Sequence, residues 1–213
     1  MDSDQYKNLK PKDVANMKKY FSILHETAIY LKENLIGKTT YILTQDTIIQ
    51  LNFMESNFMH LCGISYKGGS NKFFRACLEQ KLEINNIKIK NDGTSFQKLR
   101  VINQIEEIFS KPSQLTTSFV SLKLKFDSSI KTKKQIASIT MVNTGGNYAP
   151  QSLLELKSIK DYPKGENVIC IYTIDMTNKN KEIKFKDRNW NVIEEHNEHD
   201  IPKLDEKKRY IYI

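Results

Sequence analysis

The chain has 213 residues, with 33 Lys or Arg against 25 Asp or Glu, and a formal net charge of +8. Because a domain holds roughly 100–200 residues, this length predicts one globular domain with an extension and excludes a large multidomain assembly. Hydrophobic residues make up 39% and charged residues 27% of the chain, which is typical of a soluble protein with a packed core and excludes a disordered one. The positive charge favours partners that carry phosphate or other anionic groups.

The cysteines and the N-terminus predict a cytoplasmic protein with no membrane partner. Cys62, Cys77 and Cys170 lie far apart and leave one thiol over in any disulfide scheme, which is typical of a reducing compartment. The first residues include several acids and lack the apolar region of a signal peptide. No apolar run approaches the ~20 residues that a membrane-spanning helix needs.

The first half of the chain predicts helices interrupted by one β-hairpin. Apolar residues at three- and four-residue spacings predict amphipathic helices over residues 13–36, 71–82 and 94–109. Between the first two, β-rich runs on either side of Gln45 and Asp46 predict a hairpin over residues 39–53.

The second half predicts an antiparallel sheet. Apolar and polar residues alternate over residues 119–126, as in a half-exposed strand, and residues 136–142 predict the next strand. The apolar run 168–174 predicts a buried strand that pairs with residues 182–185 across a polar turn. Helices and a hairpin followed by an antiparallel sheet indicate an α+β fold.

Charge is distributed unevenly along the chain. Residues 190–213 contain six acids and four basic residues, so we expect a single domain over residues 1–188 and an acidic C-terminal tail over residues 189–213. Residues 84–134 contain ten Lys or Arg and only four acids. This basic region is the candidate surface for an anionic partner.

Histidine is scarce before the tail, which narrows the choice of a group that exchanges protons near neutral pH. His25 falls inside the first predicted helix, where a packing role is expected. His60 lies where an apolar run gives way to a loop, and Lys67, Lys72 and Arg75 follow within fifteen residues. That spacing can hold a phosphate beside a proton acceptor, and the alternative is a half-buried structural histidine.

Two other patterns suggest phosphate or metal binding but have simpler explanations. The sequence KGGS at residues 67–70 precedes a predicted helix, as in a phosphate-binding loop, yet neither GxxxxGK[ST] nor GxGxxG is present and a plain turn is favoured. His196 and His199 lie in an acidic stretch that is more typical of a solvated tail than of a metal site.

A third pattern imitates the magnesium site of some nucleases. Asp175 is followed by Glu182 and Lys184, an arrangement that can hold Mg²⁺ and orient water. The residues between Asp175 and Glu182 are typical of a hairpin turn, so we interpret the likeness to a magnesium site as a coincidence. The sequence therefore predicts no metal and no other cofactor.

Four short motifs resemble a family of phage-associated nucleases, the fourth phage family grouped with barnase, EndoU, the tRNA-cutting colicins and RelE. The resemblance extends over about residues 21–174, and its motifs are FMHLCGI at 58–64, Phe73-Phe74, Lys98-Leu99 and PQSLL at 150–154. It implies helices before an antiparallel sheet of about four strands, metal-independent RNA cleavage, and a role in toxin or phage-defence conflict with mobile elements. It also implies three site residues: His60 as the acid–base group, Lys98 as a phosphate contact and Ser152 as a hydroxyl at the site.

This chemistry matches the residues available. RNA is cut without a metal when a base removes the 2′-OH proton, the oxygen attacks phosphorus, and cations stabilise the charge that develops. The expected substrate-binding residues are Lys67, Lys72 and Arg75 for charge, Gln151 for hydrogen bonding, and Tyr66 or Tyr148 for base stacking. Two features depart from the family pattern: Cys62 replaces a small hydroxylated residue, and the tail has no counterpart.

The expected partners are RNA, with tRNA as one candidate, and an antitoxin or immunity protein. One alternative is a non-catalytic phage or plasmid regulator that binds nucleic acid or a host protein through the basic region. Such a binder has no reason to aim an imidazole at its phosphate site, so convergence of His60 and Lys98 discriminates between the two. A nucleotide-using transferase is a third possibility, which the absence of a cofactor motif disfavours.

Overall fold

A computed structural model describes residues 5–121, 124–159, 161–188 and 190, and it confirms the α+β class. None of the helices in this part of the chain has the length and apolar character needed to cross a bilayer. The helices are α1 (Pro11–Lys18), α2 (Phe21–Asn34), α3 (Glu55–Cys62), α4 (Gly69–Leu78), α5 (Thr94–Arg100) and α6 (Gln104–Ser110). The strands are β1 (Tyr6–Asn8), β2 (Lys38–Leu43), β3 (Ile48–Asn52), β4 (Ile64–Tyr66), β5 (Ile87–Lys90), β6 (Ser113–Ser121), β7 (Leu124–Thr132), β8 (Ala137–Asn143), β9 (Tyr148–Glu155), β10 (Glu166–Asn167), β11 (Cys170–Asp175) and β12 (Lys181–Lys186).

Two of the predicted helices are each divided into a pair. The predicted helix over residues 13–36 is α1 and α2, separated where the amides of Lys19 and Tyr20 bond to carbonyls three residues back. The predicted helix over residues 94–109 is α5 and α6, separated by similar short-range bonds around Val101 and Ile102. Because such tight turns leave the apolar spacing nearly unchanged, the breaks are invisible in the sequence pattern.

The main sheet has nine strands in a half-barrel, so the expectation of about four strands is wrong. The predicted hairpin is present as β2 and β3. Residues 119–126, expected as one strand, are instead divided between the end of β6 and the start of β7, which pair antiparallel. Leu122 and Lys123, which carried part of that alternation, lie outside the described residues. The strand order is β10-β6-β7-β8-β9-β3-β2-β11-β12, and a separate three-stranded sheet has the order β1-β5-β4.

The two parts of the main sheet meet at a single parallel pair, Leu51 on β3 with Tyr148 on β9. Among the described residues, the rest of β9 has no strand partner on that side, which leaves it a free edge, and α3 and α5 pack against β9. These two helices bring their side chains to the middle of the sheet.

A continuous apolar core fixes the position of α3. Phe58 lies 5.5 Å from Phe73 and 5.8 Å from Phe74 between ring centroids, with parallel and edge-on contacts that join α3 to α4. Cys62 and Cys77 are buried free thiols in the same core. A helix held by such packing can present a side chain in a defined direction.

The predicted acidic tail lies outside the described residues, apart from Trp190. The indole of Trp190 is buried with Leu43 and Cys170 at the outer end of the sheet.

Candidate active site

His60 is the only exposed residue in an otherwise buried stretch of α3 and its cap. Its neighbours Phe58, Met59, Leu61 and Cys62 are all buried, which orients the helix so that the imidazole faces outward. The imidazole has no hydrogen-bond partner among the described residues. A packing role would leave the ring buried or bonded, as His25 is through the Cys77 carbonyl and the Gln80 side chain.

Lys98 reaches the end of the same helix from α5. Its side chain is only 8% exposed, and its Nζ donates to the His60 backbone carbonyl at 3.2 Å and to Ser152 Oγ at 2.8 Å. The Lys98 ammonium thus joins the Ser152 hydroxyl to the backbone of His60 at the end of α3. An ammonium has three N–H donors, so one remains for a ligand.

Gly63 makes the approach of Lys98 possible. It ends α3 with a left-handed conformation at φ +65°, which favours glycine. A Cβ at this position would lie 2.7 Å from Cδ of Lys98, so the Lys98 stem passes over the space that the missing side chain leaves. Ser95 fixes the same junction, because its hydroxyl donates to the Gly63 carbonyl and accepts from the Lys90 amide.

The surroundings lower the pKa of both titratable groups, Lys98 and His60. Burial, followed by the positive charge of Lys90, lowers the pKa of Lys98 to about 8. Partial desolvation, followed by the charges of Lys98 and Lys90, lowers the pKa of His60 below its usual 6.5. Near neutral pH the imidazole is therefore a free base beside an ammonium that holds its proton.

Ser152 and Gln151 lie on β9 where the strand is irregular. Gln151 is the extra residue of a β-bulge between β8 and β9, and its amide is exposed. The Thr140 hydroxyl donates to Gln151 Oε1 at 3.2 Å, and Gln151 Nε2 donates to the Lys125 carbonyl at 3.4 Å. Bulges re-aim side chains, and this one places Gln151 beside the half-buried Ser152.

The remaining predicted binding residues are not joined to this group by any hydrogen bond or ion pair in the described part of the chain. Lys67, Lys72 and Arg75 are exposed on and before α4. Tyr66 is 5% exposed and packs against Phe73 in the core, so its ring offers no face to a base. Tyr148 is half-buried and packs against the core at the junction of β3 and β9.

Lys90, Ser95 and Gly63 act on the site but were not identified as site residues from the sequence. Gly63 falls inside the family motif, and its position directly after a buried helix is the ordinary signal of a helix end. Lys90 and Ser95 carry no motif, and only the packing of α5 against α3 and β5 reveals them.

The basic region 84–134 does not form one uniform surface. Arg100 is paired with Glu155 through two hydrogen bonds of 2.9 and 2.7 Å, and Lys111 is paired with Glu107. Lys131 is buried, and Lys98 belongs to the group described above. The cations therefore serve several separate purposes.

The residues that imitate a magnesium site have local partners. The Asp175 carboxylate accepts the backbone amides of Thr177 and Asn178 within the β11–β12 turn. Glu182 is ion-paired with Lys38 and Lys184. Among the described residues no three His, Cys, Asp or Glu side chains lie together as potential metal ligands, and His196 and His199 lie outside those residues.

Comparison with known proteins identifies a family. No curated protein and no solved structure matches the chain. A family model described as phage-Barnase-EndoU-ColicinE5/D-RelE like nuclease 4 matches residues 23–189, which include every helix from α3 to α6 and the whole of the main sheet. The chain, with its histidine, lysine and serine gathered at one sheet edge, belongs to this nuclease family.

Proposed function

We propose that the protein is a metal-independent endoribonuclease that cuts RNA by attack of the 2′-OH on the adjacent phosphate. Membership of the nuclease family supports nuclease activity, and the site geometry supports this particular chemistry. The observation that carries the proposal is the Lys98 ammonium, which lies between the Ser152 hydroxyl and the helix end that bears His60. A non-catalytic binding protein has no need to hold a free imidazole at this point.

In the proposed reaction, His60 takes the proton of the 2′-OH, and the oxygen forms a bond to phosphorus. Lys98 and the Ser152 hydroxyl stabilise the negative charge of the pentacoordinate phosphorus. The bond from phosphorus to the 5′ oxygen then breaks, and that oxygen takes a proton from Lys98 or from water. The products are a 2′,3′-cyclic phosphate and a 5′-hydroxyl end.

Gln151 and Lys90 complete the proposed site without a part in proton transfer. The amide of Gln151, held by Thr140 and the Lys125 carbonyl, can bond a phosphate oxygen or a base. The charge of Lys90 adds to the attraction for RNA. The exposed Lys67, Lys72 and Arg75 extend this attraction over the surface near α4.

We further propose a conflict role in phage or mobile-element biology, with RNA as substrate, tRNA as one candidate, and a cognate inhibitor protein. The family description, which names phage together with colicin- and RelE-like nucleases, supports this role. A nuclease of cellular RNA needs such an inhibitor in the cytoplasm of the cell that makes it.

Cleavage should continue in excess EDTA, because the proposed reaction uses His60 and Lys98 and no metal. The test is incubation of the purified protein with total cellular RNA and with a defined oligonucleotide, with and without EDTA. A matched oligonucleotide with 2′-deoxyribose at every position should stay intact. Activity that appears only with added Mg²⁺, or that cuts the deoxy substrate, would overturn the proposed chemistry.

The pH dependence should follow the two shifted groups. The base must be neutral, so kcat/KM should rise as pH increases through a value below 6.5 and be complete near neutrality. Lys98 must be protonated, so kcat/KM should fall as pH increases through about 8. In Lys98→Arg the residual activity should lose this alkaline decline, because a guanidinium keeps its proton. An unchanged alkaline decline in that variant would assign it to another group.

A further inference from the structure

A second cation lies completely buried on the sheet, away from the proposed active site. Lys131 on β7 is 0% exposed, and its Nζ has no hydrogen-bond partner in the described part of the chain. None of the described residues forms an ion pair with it. The ring centroid of Tyr162 lies 5.9 Å from Nζ, at the outer limit of a cation–π contact.

The neighbours of Lys131 on the adjacent strands are polar, and none of those that the structure describes is an acid. Lys131 lies opposite Gln114 on β6 and Ser138 on β8, and Ser129 is its neighbour on the same face of β7. Thr116 lies opposite Ser129, and its buried hydroxyl also has no hydrogen-bond partner among the residues that the structure describes. Two unsatisfied groups that can both donate to an anion therefore share one face of adjacent strands.

A short segment, residues 161–165, covers this face, and we call it the strap. The Tyr162 hydroxyl bonds to Ser129 Oγ at 2.7 Å and to Ser138 Oγ at 2.9 Å. Gly165 lies against β6 so closely that a Cβ would be 2.6 Å from the Leu115 carbonyl oxygen and 2.7 Å from Thr116 Oγ1. The strap thus crosses from β8 over β7 to β6 and closes the space above Lys131.

An unpaired ammonium under such a cover is unfavourable. Removing a charge from water is costly unless a counter-charge or hydrogen bonds replace the lost hydration, and an apolar side chain of similar size would avoid the cost. Burial also lowers the pKa of Lys131. A bound anion would accept hydrogen bonds from both Lys131 and Thr116. An apolar side chain in place of Lys131 would avoid the cost of burial but could not bind an anion.

We propose that Lys131 and Thr116 form a binding site for a phosphate group, and that the strap opens to admit it. The face is shared with the proposed active site, because Ser129 lies opposite Thr140 and Thr140 lies opposite Ser152. The phosphate can belong to the RNA backbone or to a free small molecule. Only the first of these sources rests on the proposed ribonuclease function.

The test uses the full chain and measures its thermal unfolding midpoint with and without inorganic phosphate, at an ionic strength held constant with chloride. Phosphate should raise the midpoint of the wild type by about 2–4 °C or more at saturating concentration. Lys131→Met should lose most of this rise while unfolding, without phosphate, at or above the wild-type temperature. Lys133→Met, an exposed lysine two residues further along, should keep it.

Two more variants test the hydroxyl and the strap. Thr116→Val should weaken phosphate binding several-fold, and Tyr162→Phe should strengthen it, because the strap loses its bonds to Ser129 and Ser138. If Lys131→Met keeps the full phosphate response, or the wild type has none, the site does not exist. If Tyr162→Phe leaves the phosphate affinity unchanged or lowers it, the strap is not a cover.

A second arm identifies the source of the phosphate. Binding of a non-cleavable 2′-deoxy oligonucleotide is measured for the wild type, Lys131→Met and Lys133→Met. A loss specific to Lys131→Met assigns the site to the nucleic-acid backbone, and a loss confined to inorganic phosphate assigns it to a small molecule. Neither readout needs cleavage, so failure of the proposed ribonuclease activity leaves this test intact.

Discussion

His60→Ala is expected to lower the rate of RNA cleavage by roughly 10²–10⁴, the usual contribution of a positioned general base. Binding of a 2′-deoxy oligonucleotide should change little, because the neutral imidazole contributes no charge to phosphate binding. Folding should be preserved, since the ring is exposed and has no hydrogen-bond partner among the described residues. The measurement pairs single-turnover cleavage with the binding constant of the deoxy analogue.

The matched control is His25→Ala, in a helix of the same domain. The His25 ring bonds to the Cys77 carbonyl and to Gln80, so its loss should lower the unfolding midpoint and leave the cleavage rate of the folded protein intact. If His60→Ala folds normally and cuts at the wild-type rate, the histidine has no role in the reaction. The non-catalytic binding function then becomes the better explanation.

The elements that the sequence predicted well are those with local signals. The hairpin of β2 and β3 is marked by β-rich runs around a polar turn, and α4 by regular apolar spacing after a glycine loop. The divisions between α1 and α2 and between α5 and α6 carry no glycine or proline, so nothing local marks them. A few hydrogen bonds at a tight turn determine them, and tertiary packing selects those bonds.

The size of the sheet could not be predicted because its polar strands resemble loops. β9 contains Pro150 and a bulge, and β7 places Ser129 and Lys131 on a face that the strap covers. Such residues lack the apolar alternation that identifies a half-exposed strand. Pairing between strands distant in sequence, such as β2 with β11, adds the remaining members.

Only the part of the candidate site with a local signal could be predicted from the residues themselves. His60 could be selected from the residues themselves, because histidine is scarce and this one interrupts an apolar run. Lys98 and Ser152 were identified only through the family motifs. Lys98 lies 38 positions along the chain from His60 and 54 positions from Ser152. No spacing rule connects residues across such distances, and the free edge of β9 that joins them exists only in the folded sheet.

Lys98→Met is expected to lower kcat/KM by roughly 10²–10³, the usual loss when one preorganised donor to developing charge is removed. Unlike the histidine variant, it should also weaken binding of the deoxy oligonucleotide. Removal of one lysine–phosphate interaction should reduce the slope of log affinity against log salt concentration by about 0.7 for a single strand. The fold should tolerate the change, because methionine fills the space of the stem over Gly63 and removes a largely buried charge.

Lys67→Met provides the comparison, because the side chain of that lysine is exposed and has no hydrogen bond or ion pair among the described residues. Lys67→Met should reduce the slope of log affinity against log salt concentration by no more than the value for one phosphate contact. It should leave the rate at which bound RNA is cleaved unchanged. The loss of cleavage rate in Ser152→Ala should lie between the losses in Lys67→Met and Lys98→Met, since this variant removes one hydroxyl and leaves the Lys98 ammonium in place. Equal, modest losses in Lys98→Met and Lys67→Met would make Lys98 one more RNA-attracting cation. A rate loss confined to Lys98→Met would instead place its charge at the reacting phosphate. Cleavage of RNA that is already bound slows only when the lost interaction is stronger in the transition state than in the bound substrate.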